Sequence, residues 1–122
     1  MLSSQITRMI LVYSACLVSS AYCWNNVIQN DTNGEIVVTI DYAAPGICSP
    51  ENRILQAHSQ VNIDSKVCCA QKVTIRASSG TTKGQTYSLD TPRAGLDMTC
   101  AHFYVRVYIA TGNILMAEAH LT

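Results

Sequence analysis

A chain of 122 residues with 48% hydrophobic and 13% charged residues is too apolar to be disordered and has the length of one domain. Basic and acidic residues balance at eight each, with no run of either sign, which argues against nucleic acid or an anionic membrane as the main partner. Charged residues are about half as frequent as in ordinary soluble domains, so Ser, Thr, Asn, Gln and Tyr must build much of the surface.

Residues 1–21 read as a secretory signal peptide and are set aside before any fold reasoning. A polar start ending in Arg8 is followed by an apolar run from Met9, and Ser19-Ser20-Ala21 supplies the small-x-small site that places cleavage after Ala21. The run is shorter than the ~20 residues of a spanning helix, so no membrane insertion of the mature chain is expected. Lipidation at Cys16 fits poorly, because Tyr13 and a short apolar stretch precede it. Residues 22–122 then form a single domain with one net negative charge, secreted to the cell exterior or, in a bacterium, to the periplasm.

The mature chain opens on an Asn-rich stretch in which Val27-Ile28 suggests a brief edge strand. Asn30-Asp31-Thr32 is an N-glycosylation sequon, meaningful only in a eukaryotic secretory pathway. Thr32-Asn33-Gly34 is a turn signal. It launches a strand over residues 35–42, where Ile36, Val38, Ile40 and Tyr42 alternate with Val37, Thr39 and Asp41. Residues 43–53, with Pro45, Gly46 and Pro50, read as a loop pinned by Cys48. Residues 54–58 form a short strand or one helical turn, and residues 60–63 alternate as a strand.

Residues 67–77 are β-rich, and Val67, Cys69, Val73 and Ile75 share one parity. That pattern points Cys69 to the core and Cys68 outward. Gln71 has core parity, which calls for a bulge or a buried amide near it. Ser78 to Gly84 is a flexible turn, residues 85–89 a strand with Tyr87 and Leu89 inward, and residues 90–99 a loop suited to recognition.

The C-terminal hairpin is the most legible unit. Phe103, Val105, Val107 and Ile109 alternate with His102, Tyr104, Arg106 and Tyr108, and residues 114–121 return after Thr111-Gly112-Asn113. A two-residue loop would set apolar residues opposite Glu118 and His120. A three-residue loop pairs 103 with 121, 105 with 119, 107 with 117 and 109 with 115, and sets Arg106 opposite Glu118 and Tyr104 opposite His120. A one-residue slip would move a whole face, so the three-residue loop is expected.

Six to seven short strands separated by Gly/Pro turns define an all-β chain, a small antiparallel β-sandwich stapled by disulfides. A small closed β-barrel is the alternative. An immunoglobulin-like layout lacks its usual mark, since Trp24 precedes every strand.

In a small secreted domain cysteines are expected to form disulfides, and no C-x2-C or cysteine–histidine cluster has zinc-ligand spacing. A bridge between neighbours Cys68 and Cys69 is geometrically unfavourable on a strand. Two connectivities remain: Cys48–Cys68 with Cys69–Cys100, or Cys48–Cys69 with Cys68–Cys100. The shared parity of Cys100 and Tyr104 leans to the second. Cys23 is the odd one out, free, removed with the leader, or the bridge of a homodimer.

Catalytic groupings are hard to find. The sequence has no G-x-S-x-G, no carboxylate couple and no Gly-rich phosphate loop. His102 and His120 approach on one hairpin but lack a third ligand, so solvated histidines are the plainer reading and no metal or cofactor is expected. The outward face Tyr104, Arg106, Tyr108, Met116 and His120, with Glu118, is the candidate binding face, because Tyr, Arg and Met are enriched in interfaces. Its plain counterpart is a face buried under a loop or the second sheet.

The functional expectation is a non-enzymatic secreted binding protein, of effector, inhibitor, adhesin or carbohydrate-binding type, with a protein or glycan at a surface as partner. A self-assembling surface component through Cys23, and a small enzyme or a thiol-redox protein using Cys68-Cys69, are the alternatives.

Overall fold

The computed structural model describes residues 25–43, 46–64, 68–91 and 102–121. Within them the chain forms eight strands and no helix: β1 (Asn25–Asn30), β2 (Ile36–Tyr42), β3 (Glu51–Leu55), β4 (Gln60–Asp64), β5 (Ala70–Ala77), β6 (Thr86–Asp90), β7 (Phe103–Ala110) and β8 (Ile114–Leu121). They make two four-stranded sheets, ordered β4-β1-β7-β8 and β3-β2-β5-β6, packed as a sandwich. Each sheet keeps two open edges, so the fold is the expected sandwich and not a closed barrel.

Period-two alternation builds the core. β2 buries Ile36, Val38, Ile40 and Tyr42, β5 buries Val73, Ile75 and Ala77, and β7 buries Phe103, Val105 and Val107. Ile28 from β1, Ile63 from β4 and Leu115 from β8 fill the space between them. Each buried Val, Ile, Leu or Phe contributes roughly 1.5–3 kcal/mol of transfer free energy. The β7–β8 hairpin has the expected register: Phe103 opposite Leu121, Val107 opposite Ala117 and Arg106 opposite Glu118. Its three-residue turn uses left-handed backbone at Gly112 (φ 87°) and Asn113 (φ 59°), conformations that these two residue types adopt most readily.

Two strands differ from the sequence reading. β1 is not a brief edge strand. It runs for six residues between β4 and β7, antiparallel to the first and parallel to the second, so that sheet is mixed. Asn26 and Asn30 occupy two of its three buried positions, and asparagine is depleted in strands, which hid the alternation. β3 starts at Glu51, inside the stretch read as a loop. It is an edge strand with only Leu55 fully buried, so no hydrophobic period marks it.

The β5 bulge corrects the disulfide assignment. Asp41 pairs with Lys72, but the next residue, Tyr42, pairs with Ala70, so Gln71 is passed over and lies exposed. One extra residue reverses the inward parity. Beyond the bulge the inward residues are Ala70 and Cys68, which pack on the core. Thr91 fixes this irregular stretch by donating its backbone N–H to the Gln71 carbonyl (2.9 Å) and its hydroxyl to the Ala70 carbonyl (2.7 Å). Cys68 therefore meets buried Cys48 and forms a disulfide with it, with a Cα–Cα distance of 5.9 Å. The favoured pairing of Cys48 with Cys69 and Cys68 with Cys100 is overturned. Cys69 is also disulfide-bonded; Cys100 and Cys23 lie outside the described residues, as does the leader.

At the opposite end of the sandwich Asn30 ties the two sheets together. Its side-chain amide donates to the carbonyls of Gly34 (3.0 Å), Leu55 (3.2 Å) and Gln56 (2.9 Å). Its Oδ1 accepts from the Thr32 N–H (3.0 Å) and the Thr32 hydroxyl (2.7 Å). One buried side chain thus holds the end of β1, the approach to β2 and the exit of β3. Gly34 lies so close to the 78–84 turn that a Cβ there would sit 2.2 Å from the Ser79 carbonyl oxygen. Across the same end, Gln85 donates to the Asn113 carbonyl and accepts from the Leu115 N–H, both at 2.8 Å.

Peptide mapping without reduction should recover Cys48 linked to Cys68, and recovery of a Cys48–Cys69 link would contradict the bulge account. Replacing both residues by Ala should lower unfolding stability by about 3 kcal/mol, the chain-entropy value for a loop of this size, read from denaturant midpoints.

Candidate functional site

Because β7 sends its odd residues into the core, its even residues stand on the outer face of the β4-β1-β7-β8 sheet. Parallel pairing with β1 and antiparallel pairing with β8 extend that face into rows. One row runs Asn62, Val27, Tyr104, His120, and the next runs Gln60, Gln29, Arg106, Glu118. Tyr108 lies beside Met116. All five residues expected on the binding face therefore share one surface. Arg106 and His120 are exposed, and Tyr104, Tyr108 and Met116 are half-buried. This is not the face that meets the second sheet.

Arg106 is the centre of the arrangement. Its Nε donates to Asp31 Oδ2 at 2.7 Å, and one terminal nitrogen stands 3.9 Å from Glu118 Oε1. Its guanidinium carbon lies 5.0 Å from the centroid of the Tyr108 ring, within the range of a cation–π contact. Gln29 donates to the other Asp31 oxygen (3.0 Å), and His120 Nε2 approaches Glu118 Oε1 at 3.5 Å. The result is a chain of polar contacts, Gln29–Asp31–Arg106–Glu118–His120, between two tyrosines.

Asp31 is the partner that the sequence did not disclose. It follows Asn30 in the turn, and its backbone N–H donates to the Val107 carbonyl at 2.7 Å, continuing the β1–β7 pairing past the end of the strand. The Asn30 corner thereby delivers the carboxylate to Arg106. Parallel pairing of β1 with β7 is a nonlocal event with no turn signal to announce it, so only the Arg106–Glu118 contact was readable from the hairpin. The Arg106 hydrogen bond holds the Asp31 carboxyl below its usual range, against a smaller opposing effect of burial.

Among the described residues the three histidines do not gather into one cluster. His58 sits in the β3–β4 turn with φ 61°, at the Asn30 end. His102, just before β7, accepts a hydrogen bond from the Asn25 N–H at Nδ1 (3.0 Å), and His120 faces Glu118. Among the described residues no three His, Cys, Asp or Glu side chains are grouped to hold a metal. The vicinal Cys68–Cys69 bridge of the redox alternative is not formed, since Cys68 is bonded to Cys48. Of the expected recognition loop at 90–99, residues 92–99 lie outside the described residues.

The outer face of the other sheet is different in kind. Asn52, Thr39, Thr74 and Ser88 cross it in one row, with hydrogen bonds from Thr39 to Asn52 (2.7 Å) and from Ser88 to Thr74 (3.2 Å). These short polar groups satisfy one another. The rows on either side of it carry Asp41, Lys72 and Asp90 and, on the other flank, Arg76, whereas the outward tyrosines Tyr104 and Tyr108 stand on the β7 face. No protein-family model, curated protein or solved structure matches the chain.

A carboxyl whose folded pKa lies below its unfolded value stabilises the fold above the unfolded value and loses that contribution as pH falls through the folded one. The stability difference between the native protein and Asp31→Asn should therefore be constant above about pH 5 and shrink as the pH drops below 3.8, the ordinary value for this group. A third of the Asp31 side chain is in solvent, so the difference should not exceed ~1 kcal/mol. Urea midpoints measured from pH 2.5 to 7 test this; a pH-independent difference would contradict it.

Proposed function

We propose that the chain is a secreted binding protein that captures a partner on the outer face of the β4-β1-β7-β8 sheet. The observation that carries the reading is Arg106 held between Tyr104 and Tyr108 by Asp31 and Glu118. A long side chain already fixed in place loses less rotamer entropy on binding. Arg and Tyr are the side chains most often found at energetic centres of protein interfaces, and Met is enriched there. These features favour a surface protein as partner, with a glycan as the alternative ligand. Export is supported by the leader pattern of residues 1–21 and by the Cys48–Cys68 disulfide.

Labelled mature protein should bind intact cells presenting the partner, with binding falling at least tenfold, about 1.4 kcal/mol, in Tyr104→Ala/Tyr108→Ala. The thermal melt of that variant should stay cooperative, since both rings stand on the outer face. Equal binding by the two proteins would remove this face from consideration. Binding that persists after cell-surface proteins are digested away, and that extends to immobilised polysaccharides, would assign the ligand to the glycan class.

A further inference from the structure

We infer that the Asn30-Asp31-Thr32 sequon is closed to N-glycosylation in the folded protein, so that modification and folding exclude one another at Asn30. By sequence alone this site is an acceptor, because N-x-S/T is the pattern that the transfer reaction recognises. Transfer joins Asn30 Nδ2 to the anomeric carbon of an oligosaccharide carried on a lipid pyrophosphate. The lipid pyrophosphate leaves and Nδ2 gives up one proton. Both the nitrogen and the space around it must therefore be free.

Neither is free here. Asn30 is 0% exposed and Thr32 is 1% exposed. The Asn30 amide is already committed to the Gly34, Leu55 and Gln56 carbonyls. A glycosylated Nδ2 has a single hydrogen, so it can no longer serve carbonyls on both sides of the corner. The Thr32 hydroxyl, which completes the sequon, donates to Asn30 Oδ1 (2.7 Å) or the Gly34 carbonyl (3.0 Å). The Leu55–Gln56 strand exit covers the amide from the other sheet, so no side-chain rotation frees it while the sheets stay packed. A glycan at this position would have to displace backbone that joins the two sheets.

The same hydrogen-bond set explains why a sequon stands here without serving as one. Asn supplies donors and an acceptor two residues ahead of a hydroxyl, the arrangement of an Asx-type turn. The pattern is thus a by-product of corner chemistry.

The test uses the full chain secreted from a eukaryotic host, together with Ile54→Thr, which turns Asn52-Arg53-Ile54 into a sequon on an edge strand. Asn52 is exposed, and so is Ile54 at 66%. The host is chosen as one in which that variant carries a glycan at Asn52. The disulfide-bonded, protease-resistant fraction should then carry no glycan at Asn30 by intact mass and peptide mapping. Chains recovered from the cells and prevented from folding by Val38→Asp with Val105→Asp, which set carboxylates at fully buried core positions, should carry one. A glycan at Asn30 on folded protein would overturn the inference, and so would its equal absence from folded and unfolded chains.

Discussion

A single buried amide governs how the two sheets meet. Asn30 ends β1, and its side chain spans the gap to the strand exit of β3 and the approach to β2. Buried polar groups are costly when unpaired, about 1–3 kcal/mol each, so the carbonyls that Asn30 satisfies make its position obligatory. Thr32, Gly34 and the 78–84 turn close around it. Glu35 contributes through its backbone carbonyl, which accepts from the Ser78 N–H at 2.9 Å. Its own carboxylate accepts from Gln56 and Ser78 and is held below its usual pKa by those bonds. The other end of the sandwich is built differently. There the Cys48–Cys68 bridge supplies a covalent tie, and the Asn26 side-chain amide is buried with no hydrogen-bond partner among the described residues. Burial pushes the Tyr42 phenol well above its ordinary pKa.

Function, on the reading proposed above, is coupled to this corner. Asn30 places Asp31, Asp31 holds Arg106, and Arg106 stacks on Tyr108. Arg106 and Asp31 offset one another's charge at the centre of the face, which lowers the cost of desolvating that pair against a partner. Individually, ion pairs this exposed are weak. Their contribution is to restrict Arg106 to one position before a partner arrives.

The parts of the fold that were legible in the sequence are those governed by local alternation. Residues 36–42 and the β7–β8 hairpin declared both their strands and their faces, because a register error there would expose valines and bury Glu118. The Gln71 bulge was also visible, as a polar residue at an inward parity. Its consequence is nonlocal: once Gln71 is skipped, Cys68 faces inward, and the pairing with Cys48 follows. β1 and β3 were obscured for opposite reasons. β1 is central but buries asparagines, and β3 is a strand but nearly all polar. On the candidate face, the residues of β7 and β8 were found because one hairpin carries them all. Asp31 was missed because a parallel, nonlocal pairing brings it there.

Amide hydrogen exchange in the native protein tests most directly whether the Asn30 corner binds the sheets into one unit. The backbone amides of Asn30, Asp31, Thr32 and Ser78 are engaged by Ser59, Val107, Asn30 Oδ1 and Glu35. If the corner opens only when the sandwich unfolds, these four amides exchange with the same free energy as the central amides of β2 and β7, although three of them lie outside the strands. Exchange more than tenfold faster than those core amides, about 1.4 kcal/mol lower in opening free energy, would show that the corner frays on its own and would contradict the account.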